Sequence, residues 1–215
     1  MEKQIIKTTE DFVKNQLRSD ATGHDWYHVD RVRKNALLIC KEEQAGDPFI
    51  IEMAALLHDI PDEKLNESLE AGERKLEDFL HTISLGENEK NHIKNIIATI
   101  SYKGGRGSEL ISIEAKIVQD ADRLDAIGAI GIARAFAYGG KKGQPIYEPS
   151  LTIRENMSLA EYRNGKSSSI NHFYEKLLKL RDLLNTDAAR NLAEKRHRVM
   201  ENFLEQFYQE WNGQA

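Results

Sequence analysis

Apolar residues recur at spacings of three and four along almost the whole chain, the period of helices with one buried face. Lys3–Leu17 carries Ile6, Val13 and Leu17 in this pattern, and Tyr27–Glu43 carries Val29, Val32, Ala36 and Ile39. Gly46-Asp47-Pro48 closes the second segment, and Phe49–Asp59 follows as a short apolar helix that Pro61 stops. Leu69–Ile83 sets Leu76, Phe79, Leu80 and Ile83 on one face, and Glu87–Tyr102 does the same with Ile93, Ile96, Ile97 and Ile100. Ile111–Tyr138 reads as one long helix with Ile117, Ala121, Leu124 and Gly128 along its stripe. Ile170–Leu184, with Phe173, Leu177, Leu180 and Leu184 to bury, and Ala188–Trp211 complete the series. Alternating β-branched runs are missing, so the pattern predicts an all-α fold. Two stretches break the period: the glycine-rich basic run Lys103–Gly107, and Gly139–Pro149, which continues weakly periodic to Gly165.

Composition narrows the classes. With 215 residues, 40% apolar and 30% charged, the chain is expected to form one domain over residues 1–215 with its own core. Thirty Lys and Arg against 35 Asp and Glu leave a formal charge of −5, so neither duplex nucleic acid nor an anionic membrane surface is an expected partner. One cysteine, Cys40, excludes an intrachain disulfide framework and fits a reducing compartment. Residues Met1–Asp20 hold no apolar signal-like run, and no stretch reaches the roughly 18 apolar residues of a membrane span. A cytoplasmic protein is expected. Phe203, Phe207, Tyr208 and Trp211 are spaced for helix packing or for a homodimer contact.

Three clusters carry the candidate chemistry. Gly23-His24-Asp25-Trp26-Tyr27-His28 opens a predicted helix, with His24 and His28 one turn apart. Ala54-Ala55-Leu56-Leu57-His58-Asp59 brings a histidine and an aspartate out of an apolar run, where an ionised carboxylate needs a partner or a metal. By themselves these two residues also suit a helix end or a mutual pair. In the third cluster, Asp120, Asp122 and Asp125 interrupt an otherwise apolar helix, with Asp122 at the border of the buried stripe. Arg123 and Arg134 are available as salt-bridge partners, yet neither accounts for a mediocre helix former turned inward.

His28, His58, Asp59 and Asp122, taken in this order, resemble the sparse pattern of the HD-domain metal-dependent phosphohydrolases. The words around them strengthen the likeness: Gly-His-Asp-Trp-Tyr-His-Val-Asp-Arg-Val at 23–32, Ala-Ala-Leu-Leu-His-Asp-Ile at 54–60 and Asp-Ala-Asp-Arg-Leu-Asp-Ala-Ile-Gly-Ala at 120–129. The resemblance spans about residues 20–140, with helices over 150–215 packed on that core, and it is nearest to the small bacterial YpgQ-like branch. It implies a helical bundle with one divalent metal held by His28, His58, Asp59 and Asp122. It also implies a metal-dependent hydrolase acting on phosphoric ester or anhydride bonds. Two imidazoles and two carboxylates suit Mn²⁺, here favoured, or Co²⁺, Ni²⁺, Fe²⁺ or Zn²⁺, better than Ca²⁺, with Mg²⁺ a further candidate. The branch points to a nucleoside or deoxynucleoside triphosphate cleaved to monophosphate and pyrophosphate. A phosphomonoesterase on small phosphates is the alternative within enzymes, and a nucleotide-sensing module with a structural metal the alternative outside them.

The remaining assignments follow from neighbourhood. Asp62 is the candidate general base or water-positioner, with Lys64 as a phosphate contact. His24 and Asp25 are candidates to orient His28 or touch phosphate, and Asp25 equally suits a helix N-cap. Arg31, Lys103, Arg106, Arg123, Lys141 and Lys142 form the cationic pool for a polyphosphate, and His172 with Lys176 is a remoter pair. Ile100 stands where two-metal relatives often show histidine, so one metal is expected.

Overall fold

The protein is described by a computed structural model covering residues 1–17, 25–63, 65–100, 110, 112–155 and 165–214. Among these residues there are nine α-helices and no strand. They are α1 (Glu2–Gln16), α2 (Trp26–Glu43), α3 (Pro48–Leu57), α4 (Leu69–Thr82), α5 (Glu87–Ile100), α6 (Ile113–Asp125), α7 (Gly128–Lys141), α8 (Ser169–Glu175) and α9 (Asp187–Trp211). No helix among them is long and apolar enough to cross a membrane.

Starts are set by short polar side chains that satisfy the free N–H groups of a first turn. Asp25, Asp47, Ser68, Ser112, Ser168 and Thr186 each accept such a bond, and Pro48 follows Asp47 at the first position of α3. α3 is the axis of the bundle. Ile51, Met53, Ala54, Ala55, Leu56 and Leu57 are all wholly buried, because α1, α2, α5 and α6 pack around it. α9 lies across α7, α6 and α2. Its aromatic side chains pack on neighbours of the same chain: Phe203 on Phe136 and Phe173, and Phe207, Tyr208 and the half-exposed Trp211 around Tyr147.

The expected single helix over Ile111–Tyr138 is two. The chain turns at Ala126 and Ile127, and Gly128 has φ +75. A side chain at 128 would be strained by this φ, and its Cβ would stand 2.9 Å from Cβ of Arg196 on α9. Arg196 is fixed there by donating to the Leu124 carbonyl and to Asn35. The break is thus packed against a residue remote in the chain, and it swings α7 back so that Arg134 meets Asp125.

Two further boundaries differ. α7 runs on through Gly139, read above as loop, because glycine lets Ser169 at the start of α8 approach: a Cβ would lie 2.2 Å from its Oγ. The expected Ile170–Leu184 helix ends at Glu175 and continues as two 3₁₀ turns, Leu177–Lys179 and Arg181–Leu183, whose tighter winding keeps Leu177 and Leu180 buried.

Candidate metal centre

Three helix ends meet in one buried pocket. His58 is the residue that ends α3, and Asp59 sits in the turn ahead of Pro61, held by Ile60 N–H to the Leu57 carbonyl (3.0 Å) and Asp62 N–H to the Asp59 carbonyl (3.1 Å). His28 stands in the first turn of α2, its N–H capped by Asp25 Oδ1 at 2.8 Å. Asp122 lies in the last turn of α6. Two of the three ends are C-terminal, where the backbone carries partial negative charge, so the pocket favours a cation before any side chain is counted.

The donor atoms converge. His28 Nε2 lies 3.3 Å from His58 Nε2, 3.3 Å from Asp59 Oδ2 and 3.6 Å from Asp122 Oδ1, and His58 Nε2 lies 3.4 Å from Asp59 Oδ1. His28, His58 and Asp59 are 1%, 8% and 7% exposed, and their donors all fall within 4.8 Å of one another. The Asp122 side chain, 35% exposed, forms the open edge.

Hydrogen bonds on the far side of each ring fix what these atoms are. His58 Nδ1 is 2.8 Å from the Ala55 carbonyl, which only accepts, so Nδ1 carries the proton. His28 Nδ1 is 2.7 Å from Asp125 Oδ2, and Asp125 also receives Arg31 and Arg134. Burial opposes charge on Asp125, but the bonds from His28 and Arg31 prevail and hold its carboxyl far below the usual range. With both Nδ1 atoms so engaged, the two Nε2 atoms face each other and two carboxylates. Only a positive charge between them reconciles that arrangement. Without a metal it is a proton: despite burial, Asp125 and Asp59 raise the His28 pKa to about 9. With one, the fit is close, since ligands about 2.1 Å from a common ion stand about 3.0–3.4 Å apart.

The other expected residues distribute as follows. Asp25 caps α2 and is half-buried. Asp62 is half-buried in the turn after Asp59, its carbonyl accepting from Leu65 N–H at 3.0 Å and Asn66 Nδ2 at 2.9 Å. Arg31 gives Nε and Nη2 to Asp125 at 2.7 and 3.0 Å, on the Nδ1 side of His28 and away from the converging Nε2 atoms. Arg123 donates to the Leu183 carbonyl. Lys141 and Lys142 are exposed at the end of α7, about 10 Å along its axis from Arg134. His24, Lys64, Lys103 and Arg106 lie outside the described residues. Ile100 is a core residue, 4% exposed, and His92 faces Glu114 at 3.5 Å. Asp125 and Arg134 were not expected at the site. The available signal was the spacing of Asp125, three residues after Asp122 in the same apolar helix.

His172 on α8 carries a pH expectation. Burial, aided by the Lys176 charge, lowers its pKa to about 4. The unfolded chain protonates it near 6.5, so its contribution to stability is complete above that pH and is lost as pH falls toward 4. Urea midpoints recorded from pH 7 to 4 will fall less steeply for His172→Gln than for wild type. Parallel curves would show that this imidazole does not titrate as described.

Comparison with known proteins gives a consistent result. The HD domain family matches residues 25–127. Protein YpgQ of Bacillus subtilis is 41% identical over 197 residues, 91% of this chain and 88% of its own. The crystal structure of an HD-superfamily hydrolase from Bacillus thuringiensis is 51% identical, with a TM-score of 0.78 over 99% of both chains. The structure of B. subtilis YpgQ in complex with ADP aligns with a TM-score of 0.75 at 37% identity, over 96% of this chain and all of that one.

Proposed function

Because this chain belongs to the HD-domain family of metal-dependent phosphohydrolases, we propose that it hydrolyses nucleotides, cleaving a nucleoside or deoxynucleoside triphosphate to monophosphate and pyrophosphate with Mn²⁺ as the favoured ion. The observation that carries the reading is the approach of the two imidazole Nε2 atoms to 3.3 Å, with Asp59 and Asp122 beside them. His28, His58, Asp59 and Asp122 are the residues that hold the ion. When bound, it supplies an acidified water and a Lewis acid for a phosphoryl oxygen.

The chain contributes the rest. Ala55 and Asp125 hold the Nδ1 positions of both imidazoles, so that their Nε2 atoms are the ones that would face the ion. The low exposure of three ligands keeps the electrostatics strong where charge develops on phosphate. Asp62, three residues beyond Asp59 in a pinned turn, is assigned to position the attacking water and take its proton. The nucleotide preference draws support from the ADP complex of the similar YpgQ. The triphosphate preference asks for cations beyond the metal, which we assign to Lys64, Lys103 and Arg106.

A screen of nucleotides and small phosphate esters against Mn²⁺, Co²⁺, Ni²⁺, Mg²⁺ and Zn²⁺, with products identified by phosphorus NMR, tests the reading. Pyrophosphate is expected from a triphosphate. Orthophosphate as the sole product, with monophosphates as the better substrates, would replace it with a phosphomonoesterase.

A further inference from the structure

Asp125 is 1% exposed and does not ligate the proposed ion, yet its carboxylate accepts from His28 Nδ1 (2.7 Å), Arg31 Nε (2.7 Å), Arg31 Nη2 (3.0 Å) and Arg134 Nη1 (2.7 Å). We propose that Asp125, clamped between Arg31 and Arg134, is the positioning residue that fixes the plane and tautomer of His28, and that Arg31 serves this clamp and not the substrate. The inference rests on the metallohydrolase reading and deepens it.

An ionised carboxylate only accepts, and here Oδ2 takes His28 Nδ1, Arg31 Nη2 and Arg134 Nη1 while Oδ1 takes Arg31 Nε, so His28 Nδ1 is held as an N–H and its Nε2 is left for the ion. The guanidinium of Arg31 binds side-on with two parallel bonds, which sets the carboxylate plane and through it the tilt of the imidazole. His28 and Arg31 lie one turn apart on α2, while Arg134 comes from α7. A lysine, with a point charge and no fork, cannot reproduce the side-on contact. Arg134 also donates to the Asp125 main-chain carbonyl at 3.3 Å, so the cluster joins α6 to α7 as well. That joining role alone would change stability and leave the folded protein's metal affinity as it is.

Zn²⁺ titration of the full chain by calorimetry, with imidazole ¹⁵N NMR of the zinc-loaded protein, separates the two roles. Asp125→Asn is expected to bind Zn²⁺ about 10- to 100-fold more weakly and to lose the wild-type His28 Nδ1–H signal. Arg31→Lys, at a position whose side chain is 33% exposed and so tolerant of change, is expected to weaken binding in the same direction by a smaller factor, and it carries the test should Asp125→Asn not fold. Affinities within twofold of wild type in every variant that folds, with an unmoved His28 signal, would overturn the inference while leaving the proposed function standing. Absence of stoichiometric Zn²⁺ binding by the wild type would instead overturn both.

Discussion

Asp59→Ala will lower turnover of the preferred nucleotide by on the order of a thousandfold or more while leaving the helical circular dichroism almost unchanged. Asp59 is the carboxylate that touches both imidazoles, at 3.3 Å from His28 Nε2 and 3.4 Å from His58 Nε2. Its loss opens the shared ligand set at its centre, and the several kcal/mol that a bound ion contributes through charge stabilisation go with it. The fold does not depend on the carboxylate in the same way. α3 is held by the buried side chains from Ile51 to Leu57, and the turn after it by main-chain bonds that alanine keeps. The assay is run with metal in excess and with circular dichroism on the same preparation. Undiminished hydrolysis by folded Asp59→Ala protein would remove the mechanism.

Asp120→Ala will have the opposite profile, a large loss of stability from a residue outside the ligand set. Asp120 is wholly buried in α6 and holds the segment that leads into α9. It accepts from Asn185 N–H at 2.9 Å, Asn185 Nδ2 at 2.7 Å, Thr186 N–H at 2.8 Å and Thr186 Oγ1 at 2.7 Å. Thr186 is in turn the N-cap of α9. Alanine leaves these donors facing a void, and unpaired buried polar groups cost about 1–3 kcal/mol each. With partial relaxation we expect about 3–5 kcal/mol, which for a chain of this size lowers Tm by about 10–15 °C. Thermal unfolding followed at 222 nm measures it. A fall of less than about 2 °C would mean that Asp120 is not the tie between α6 and α9.

These two aspartates show how far the amino-acid pattern reaches. Asp120, Asp122 and Asp125 look alike as acids in an apolar helix, and helical spacing places Asp122 at the edge of the stripe, where its side chain is indeed 35% exposed. Nothing in the local pattern tells that Asp120 ties down α9 or that Asp125 serves His28, because their partners, Thr186 and Arg31, lie far away in the chain. The same holds for the break at Gly128. Its neighbours continue the helical period, and the positive φ at Gly128 together with the approach of Arg196 on α9 calls for a residue without a side chain. The helix expected from Leu69 starts there, capped by Ser68, and the one expected from Phe49 starts one residue earlier, capped by Asp47, which the apolar pattern alone places at the close of the preceding segment. The 3₁₀ turns after Glu175 were not legible, because spacings of three and four are common to both windings. His28, His58 and Asp59 were legible through the unusual company each keeps, and the fold brings those three side chains within 4.8 Å of one another.

The most direct test is to grow crystals with Mn²⁺ and collect anomalous diffraction at its absorption edge. The account predicts one peak per chain, about 2.0–2.3 Å from Nε2 of His28 and of His58 and from a carboxylate oxygen of Asp59 and of Asp122. A well-ordered pocket with no peak, or a peak that leaves any of these four side chains beyond bonding distance, would contradict it.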